Sequence, residues 1–130
     1  MIESVDQGVG KIMSTLDDLD LADNTVVIFF SDNGGHGTVT SMAPLRGSKG
    51  MLYEGGIREP LIIRWPGKIK PGTTCDIPVI GIDFYPTILE ITGISKPAEQ
   101  VLDGQSLVSS IYAKWEIETN GNILAFSCLP

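Results

Sequence analysis

VVIFFSDNGGHG, residues 26–37, decides how the chain is read. Val26 to Phe30 are apolar without alternation, the pattern of a strand covered on both faces. Such strands belong to parallel sheets flanked by helices. The run then breaks into Ser31, Asp32, Asn33, Gly34 and Gly35. Asn-Gly is a favoured tight turn, so one reading of the break is a hairpin turn. The other is the carboxyl end of a central strand in an open α/β sheet, where ligands usually sit. A hairpin needs a partner strand directly afterwards, and HGTVTSMAPLR, residues 36–46, has no alternating apolar run.

Working outward, Ile2, Val5, Val9, Ile12, Met13, Leu16 and Leu19 follow the three-four spacing of one helical face. This predicts a helix over residues 2–19. A helix followed closely by a buried strand is half of an α/β unit. From Ser31 to Gly56 the chain is rich in Gly, Ser and Thr and lacks periodicity, which marks a long functional loop. Leu61 to Trp65 reads as a second short strand, followed by turns at Pro66-Gly67 and Pro71-Gly72. Val79 to Ile82 is a short apolar run. Asp83 is placed as an N-cap for a helix with the stripe Phe84, Ile88, Leu89 and Ile91, ended by Gly93. A further short helix is expected near Ser106 to Tyr112. Asn120-Gly121 predicts a hairpin between Trp115–Thr119 and Asn122–Phe126.

The 130 residues fit one domain of ordinary size, and 42% apolar against 19% charged residues supports a buried core. The formal net charge of −7 argues against nucleic acid as a partner, since a phosphate backbone calls for a basic surface. It leaves room for a small anionic substrate beside a local cation. No apolar run reaches bilayer length, and the first residues do not read as a leader peptide. Cys75 and Cys128 are too few for a disulfide scaffold and leave the redox compartment open. The single His36 excludes a site built on two histidines and reads as a surface residue.

If the break is a ligand site, Asp32 offers a carboxylate and Asn33 an amide oxygen. Both are hard donors suited to Ca²⁺ or Mg²⁺. Two ligands do not complete a Ca²⁺ shell of roughly six to eight oxygens, so the rest must come from elsewhere. In PLRGSKGMLYEGGIREP, residues 44–60, Lys49 stands in a glycine-rich loop with Arg46 three residues before it. Such a lysine either presents a compact charge to a sulfate or phosphate oxygen or is simply solvated. The glycine spacing is not that of a P-loop. Glu54 and Arg58 read as an ion pair that ties the loop down.

Three motifs occur in order: SDNGG at 31–35, PLRGSKGMLYEGGIREPLIIRWPG at 44–67 and DFYPTILEITG at 83–93. Together they resemble the sulfatase family of the alkaline-phosphatase-like superfamily, and MIESVDQGVGKIM at 1–13 and DGQSL at 103–107 fit the same pattern. The resemblance implies an α/β sandwich with a mostly parallel sheet flanked by helices, represented here by its C-terminal part. It divides the chain into residues 1–112, a partial catalytic domain, and a tail over 113–130. It implies that Asp32 and Asn33 are Ca²⁺ ligands and that Lys49 is a catalytic residue touching the substrate sulfate. The partner implied is a sulfated small molecule or glycan, and family members are usually periplasmic, secreted or lysosomal.

The family cleaves its ester with a formylglycine made from a Cys or Ser in a C/S-x-P-x-R segment, and the sequence departs from the pattern there. No such segment lies in the thirty residues ahead of Ser31, where the family places it. Cys75 precedes Asp-Ile-Pro, and Cys128-Leu129-Pro130 only begins like the motif. The paired aspartates of the family's metal site also lie upstream. The expectation is therefore a portion of a sulfatase that is inactive alone and self-associates through exposed core surface. The alternatives are a phosphoesterase or phosphonate esterase of the same superfamily, which the lone histidine disfavours, and a non-catalytic binding domain.

Overall fold

The computed structural model describes residues 2–113 and 123–127. Among these residues, four α-helices, α1 (Ile2–Asp18), α2 (Glu54–Ile57), α3 (Phe84–Thr92) and α4 (Val108–Ala113), accompany four strands, β1 (Val27–Phe30), β2 (Pro60–Arg64), β3 (Thr73–Cys75) and β4 (Ile123–Ser127). The strands form one sheet in the order β1-β2-β4-β3. The molecule is thus of the α/β class.

One expectation is corrected by the strand pairing. β1 pairs antiparallel with β2, Val27 opposite Arg64 and Phe30 opposite Leu61. β2 pairs antiparallel with β4, and only β3 and β4 run parallel. The parallel register read from the Val26–Phe30 run is therefore not the one β1 makes with β2. The reason is visible in what the two faces meet. Val26, Ile28 and Phe30 pack against the core, whereas Val27 and Phe29 line a groove under α1. A strand apolar on both faces lacks alternation whichever way its neighbour runs. β2 behaves alike: Leu61 and Ile63 are buried, while Ile62 between them lines the same groove.

The core lies on one sheet face. Leu61, Ile63, Ile69, Cys75, Val79, Leu107 and Ile111 form it, with Trp65 and Phe84 packed alongside. Edge-to-face stacking of Phe30 on Phe84, with centroids 5.0 Å apart, joins β1 to α3. Trp65 and Tyr112, at 6.3 Å, join the end of β2 to α4. On the opposite face α1 spans the groove of about 370 Å³, and none of its residues is buried. The predicted stripe is present, but its members Val5, Val9 and Met13 face open volume as well as protein.

α3 begins where the stripe begins and ends at Gly93, whose φ of 69° is the left-handed conformation expected of a C-terminal glycine. Asp83 precedes the helix without capping it. Its carboxylate oxygens instead accept hydrogen bonds from the backbone N–H groups of Ile80 and Gln105, both at 2.9 Å. It ties together two loops that are 22 residues apart. The hairpin expected at Asn120-Gly121 lies outside the described residues. Its second arm coincides with β4, which has β2 on one side and β3 on the other. β3 itself, a three-residue strand after the Pro71-Gly72 turn, was not anticipated. Among the described residues no helix is long and apolar enough to cross a membrane.

Candidate functional site

The site is built where β1 ends. The β1–β2 ladder runs past Phe30 through a hydrogen bond from Ser31 N–H to the Pro60 carbonyl at 3.3 Å. Three residues later Gly34 N–H donates to the Gly56 carbonyl at 3.1 Å. Asp32 and Asn33 thus occupy a turn held at both ends by the segment 56–60. The approach is so close that a Cβ on Gly34 would stand 2.0 Å from the Gly55 carbonyl oxygen. Only glycine fits there, which accounts for the first glycine after Asn33. Gly55 and Gly56 are in turn pressed against the backbone of residues 46–51.

The same packing brings in the basic loop. Lys49 N–H donates to the Gly35 carbonyl at 3.1 Å, two residues beyond Asn33. The loop of 31–56, irregular as expected, thereby folds back so that its Lys49 end meets its Asp32 end. Lys49 and Asp32 are both exposed, and Asn33 is half-buried. Asn33 donates its side-chain nitrogen to the Gly34 carbonyl at 3.1 Å, leaving the amide oxygen for another partner. Arg46 lies over the Tyr53 ring, 4.0 Å from its centroid. Glu54 and Arg58 form the expected pair, at 3.6 Å. His36 is exposed and its Nδ1 lies 2.8 Å from the Thr38 hydroxyl.

A residue that sequence reasoning passed over completes the arrangement. Glu59 is 7% exposed, and its Oε1 is buried without a hydrogen-bond partner. Burial pushes its carboxyl above the ordinary range of 4.5; a hydrogen bond from Ser31 opposes the rise and the charge of Asp32 adds to it. The signal available in the sequence was an acid between Arg58 and Pro60, directly before an apolar strand. Without the β1–β2 register nothing linked it to Asp32.

Asp32 and Asn33 fit a hard divalent cation in donor chemistry, and the orphaned Glu59 oxygen shows that this corner has unmet polar demand. The fit is partial. Among the described residues no group of three or more His, Cys, Asp or Glu gathers to hold a metal ion. For formylglycine the chain offers no C/S-x-P-x-R segment, and Cys75, buried in the core, is placed for packing.

Comparison with known proteins agrees with this architecture. The sulfatase family model matches residues 1–94. A sulfatase of Formosa agariphila is 40% identical over 95% of this chain and 24% of its own length. Rat steryl-sulfatase is 38% identical over 82% of this chain and 20% of its own length. The solved structure of Ps i-CgsB in complex with k-i-k-neocarrahexaose superposes with a TM-score of 0.81 at 35% identity, covering 92% of this chain and 26% of that one. The fold is the alkaline-phosphatase-like α/β fold of the sulfatases, of which the chain represents a portion. The chain belongs to the sulfatase family, and it spans about a quarter of the length of the relatives it matches.

Proposed function

We propose that this chain supplies part of the catalytic centre of a sulfuric ester hydrolase. Asp32 and Asn33 are two of the oxygen ligands of a Ca²⁺ ion, and Lys49 is the cation that holds the substrate sulfate. The observation that carries the reading is the clamped turn: two backbone hydrogen bonds fix residues 31–34 against 56–60, and a third joins Lys49 to Gly35. A bound Ca²⁺ supplies charge neutralisation for a sulfate oxygen. Asp32 and Asn33 contribute hard oxygens on a turn whose backbone does not need to reorganise. Lys49 contributes a compact ammonium to a second sulfate oxygen. The ester is that of a sulfated small molecule or glycan, in keeping with relatives named steryl-sulfatase and with a neighbour solved with a carrahexaose.

The nucleophile and the remaining metal ligands are not among these 130 residues. Alone, therefore, the chain binds Ca²⁺ weakly and does not turn over. The test is calorimetry with Ca²⁺ together with a chromogenic aryl sulfate assay on the purified chain. Weak binding that is lost in Asp32→Ala, with no hydrolysis, is expected. Measurable hydrolysis, or tight stoichiometric binding that survives Asp32→Ala, would overturn the reading.

A further inference from the structure

The proposed function makes no use of Glu59, yet its position is unusual. The antiparallel register pairs Phe30 with Leu61, and the Ser31 N–H to Pro60 bond continues it. Carried one rung further, the same register sets Asp32 opposite Glu59. The two acids therefore stand across from each other at the point where the ladder opens. The Ser31 hydroxyl donates to the Asn33 carbonyl oxygen at 3.2 Å and stands beside the Glu59 carboxyl. One side chain thus lies next to both Glu59 and the turn carrying both candidate ligands.

A carboxylate that is more than nine-tenths buried, with one oxygen unpartnered and a second carboxylate nearby, is costly to keep. A well-packed site for structure alone would give that oxygen a donor. A cation held by the opposing turn offsets both the burial and the repulsion.

We propose that Glu59 is a positioning residue of the cation site: its negative charge, set opposite the Asp32 turn, strengthens cation binding by Asp32 and Asn33. The inference rests on the reading that Asp32 and Asn33 bind a hard cation. It goes beyond that reading by adding a second acidic group, from the segment just before β2, to the electrostatics of the site. A purely structural Glu59 would matter for folding and be silent toward the ion.

The test is a luminescence titration of the full 130-residue chain with Tb³⁺, a hard ion close to Ca²⁺ in size, alongside metal-free thermal unfolding. The native chain is expected to give a saturable signal that Asp32→Ala abolishes. Glu59→Gln, which keeps the shape and removes the charge, is expected to weaken Tb³⁺ binding at least about tenfold, a 1.4 kcal/mol effect. Its metal-free Tm should be unchanged or higher, because an uncompensated buried charge has been removed. Glu59→Asp, which restores the charge, should recover part of the affinity. Native-like Tb³⁺ affinity in Glu59→Gln would overturn this inference and leave the Asp32 reading standing. A fall in metal-free Tm in Glu59→Gln with unchanged affinity would make the residue structural and overturn it as well. A native signal that is absent, or indifferent to Asp32→Ala, would remove the cation reading and this inference with it.

Discussion

Glu59 shows how one side chain can carry opposing demands. Burial and the neighbouring Asp32 raise its folded-state pKa above the ordinary 4.5, so the folded chain holds this proton to higher pH than the unfolded chain does. The stability this contributes is present in full below the ordinary carboxylate range. It is lost as pH rises through the raised folded value. With metal chelated, the native chain should therefore lose stability relative to Glu59→Gln as pH rises from the ordinary carboxylate range toward neutrality. Urea midpoints of the two proteins across that range measure it, and a native chain that gains on the variant as pH rises would contradict the sign. Such a cost is common where a site is arranged for binding rather than for stability. Lys49 illustrates a different limit at this scale. Its backbone bond to Gly35 brings it to the turn, while its side chain is exposed.

Among the elements, a buried hydroxyl bridges α3 to the residue before α4. Thr87 is fully buried in α3. Its Oγ1 donates to the Asp83 carbonyl at 2.6 Å and accepts from Leu107 N–H at 2.9 Å. Leu107 belongs to the core and immediately precedes α4. Replacing Thr87 by Val keeps the shape and strands a buried N–H, which should cost about 1–3 kcal/mol. Chemical denaturation would register this as a lower midpoint at unchanged slope. Thr87→Ser, which keeps the hydroxyl, should lose less. The Asp83 staple acts beside it, so the α3–α4 corner is held by polar groups at its rim and by Leu107 and Ile111 within.

Taken as a whole, the molecule has one well-filled sheet face and one that is only partly covered. β1 ends the sheet order, and its groove side exposes Phe29 and Ile62 at 37% each beneath a helix with no buried residue. A strand edge that none of the described residues pairs with and an apolar groove both favour pairing with a second copy of the chain. Light scattering should show association that grows with concentration. Ile62→Lys, which puts a charge on the groove side of β2, should reduce it. A strictly monomeric native chain would count against this.

The positions of α1, β1, β2, α3 and α4 were legible from the sequence, because periodicity, turn residues and the C-terminal Gly93 act within a few residues of where they are read. So was the family, since the motif over 44–67 is a local string of glycines and charges around a strand. Strand direction was not legible. β1 and β2 are apolar on both faces, one toward the core and one toward the groove, and this removes the alternation that would have told the faces apart. Nor did the hairpin signal near residue 120 reveal that residues 123–127 lie between β2 and β3. Sequence alone thus determined which residues are candidates for the chemistry: Asp32, Asn33 and Lys49. Only tertiary structure decided what stands beside them. Glu59 meets Asp32 through a pairing between distant segments, and such pairings are set by which surfaces bury each other.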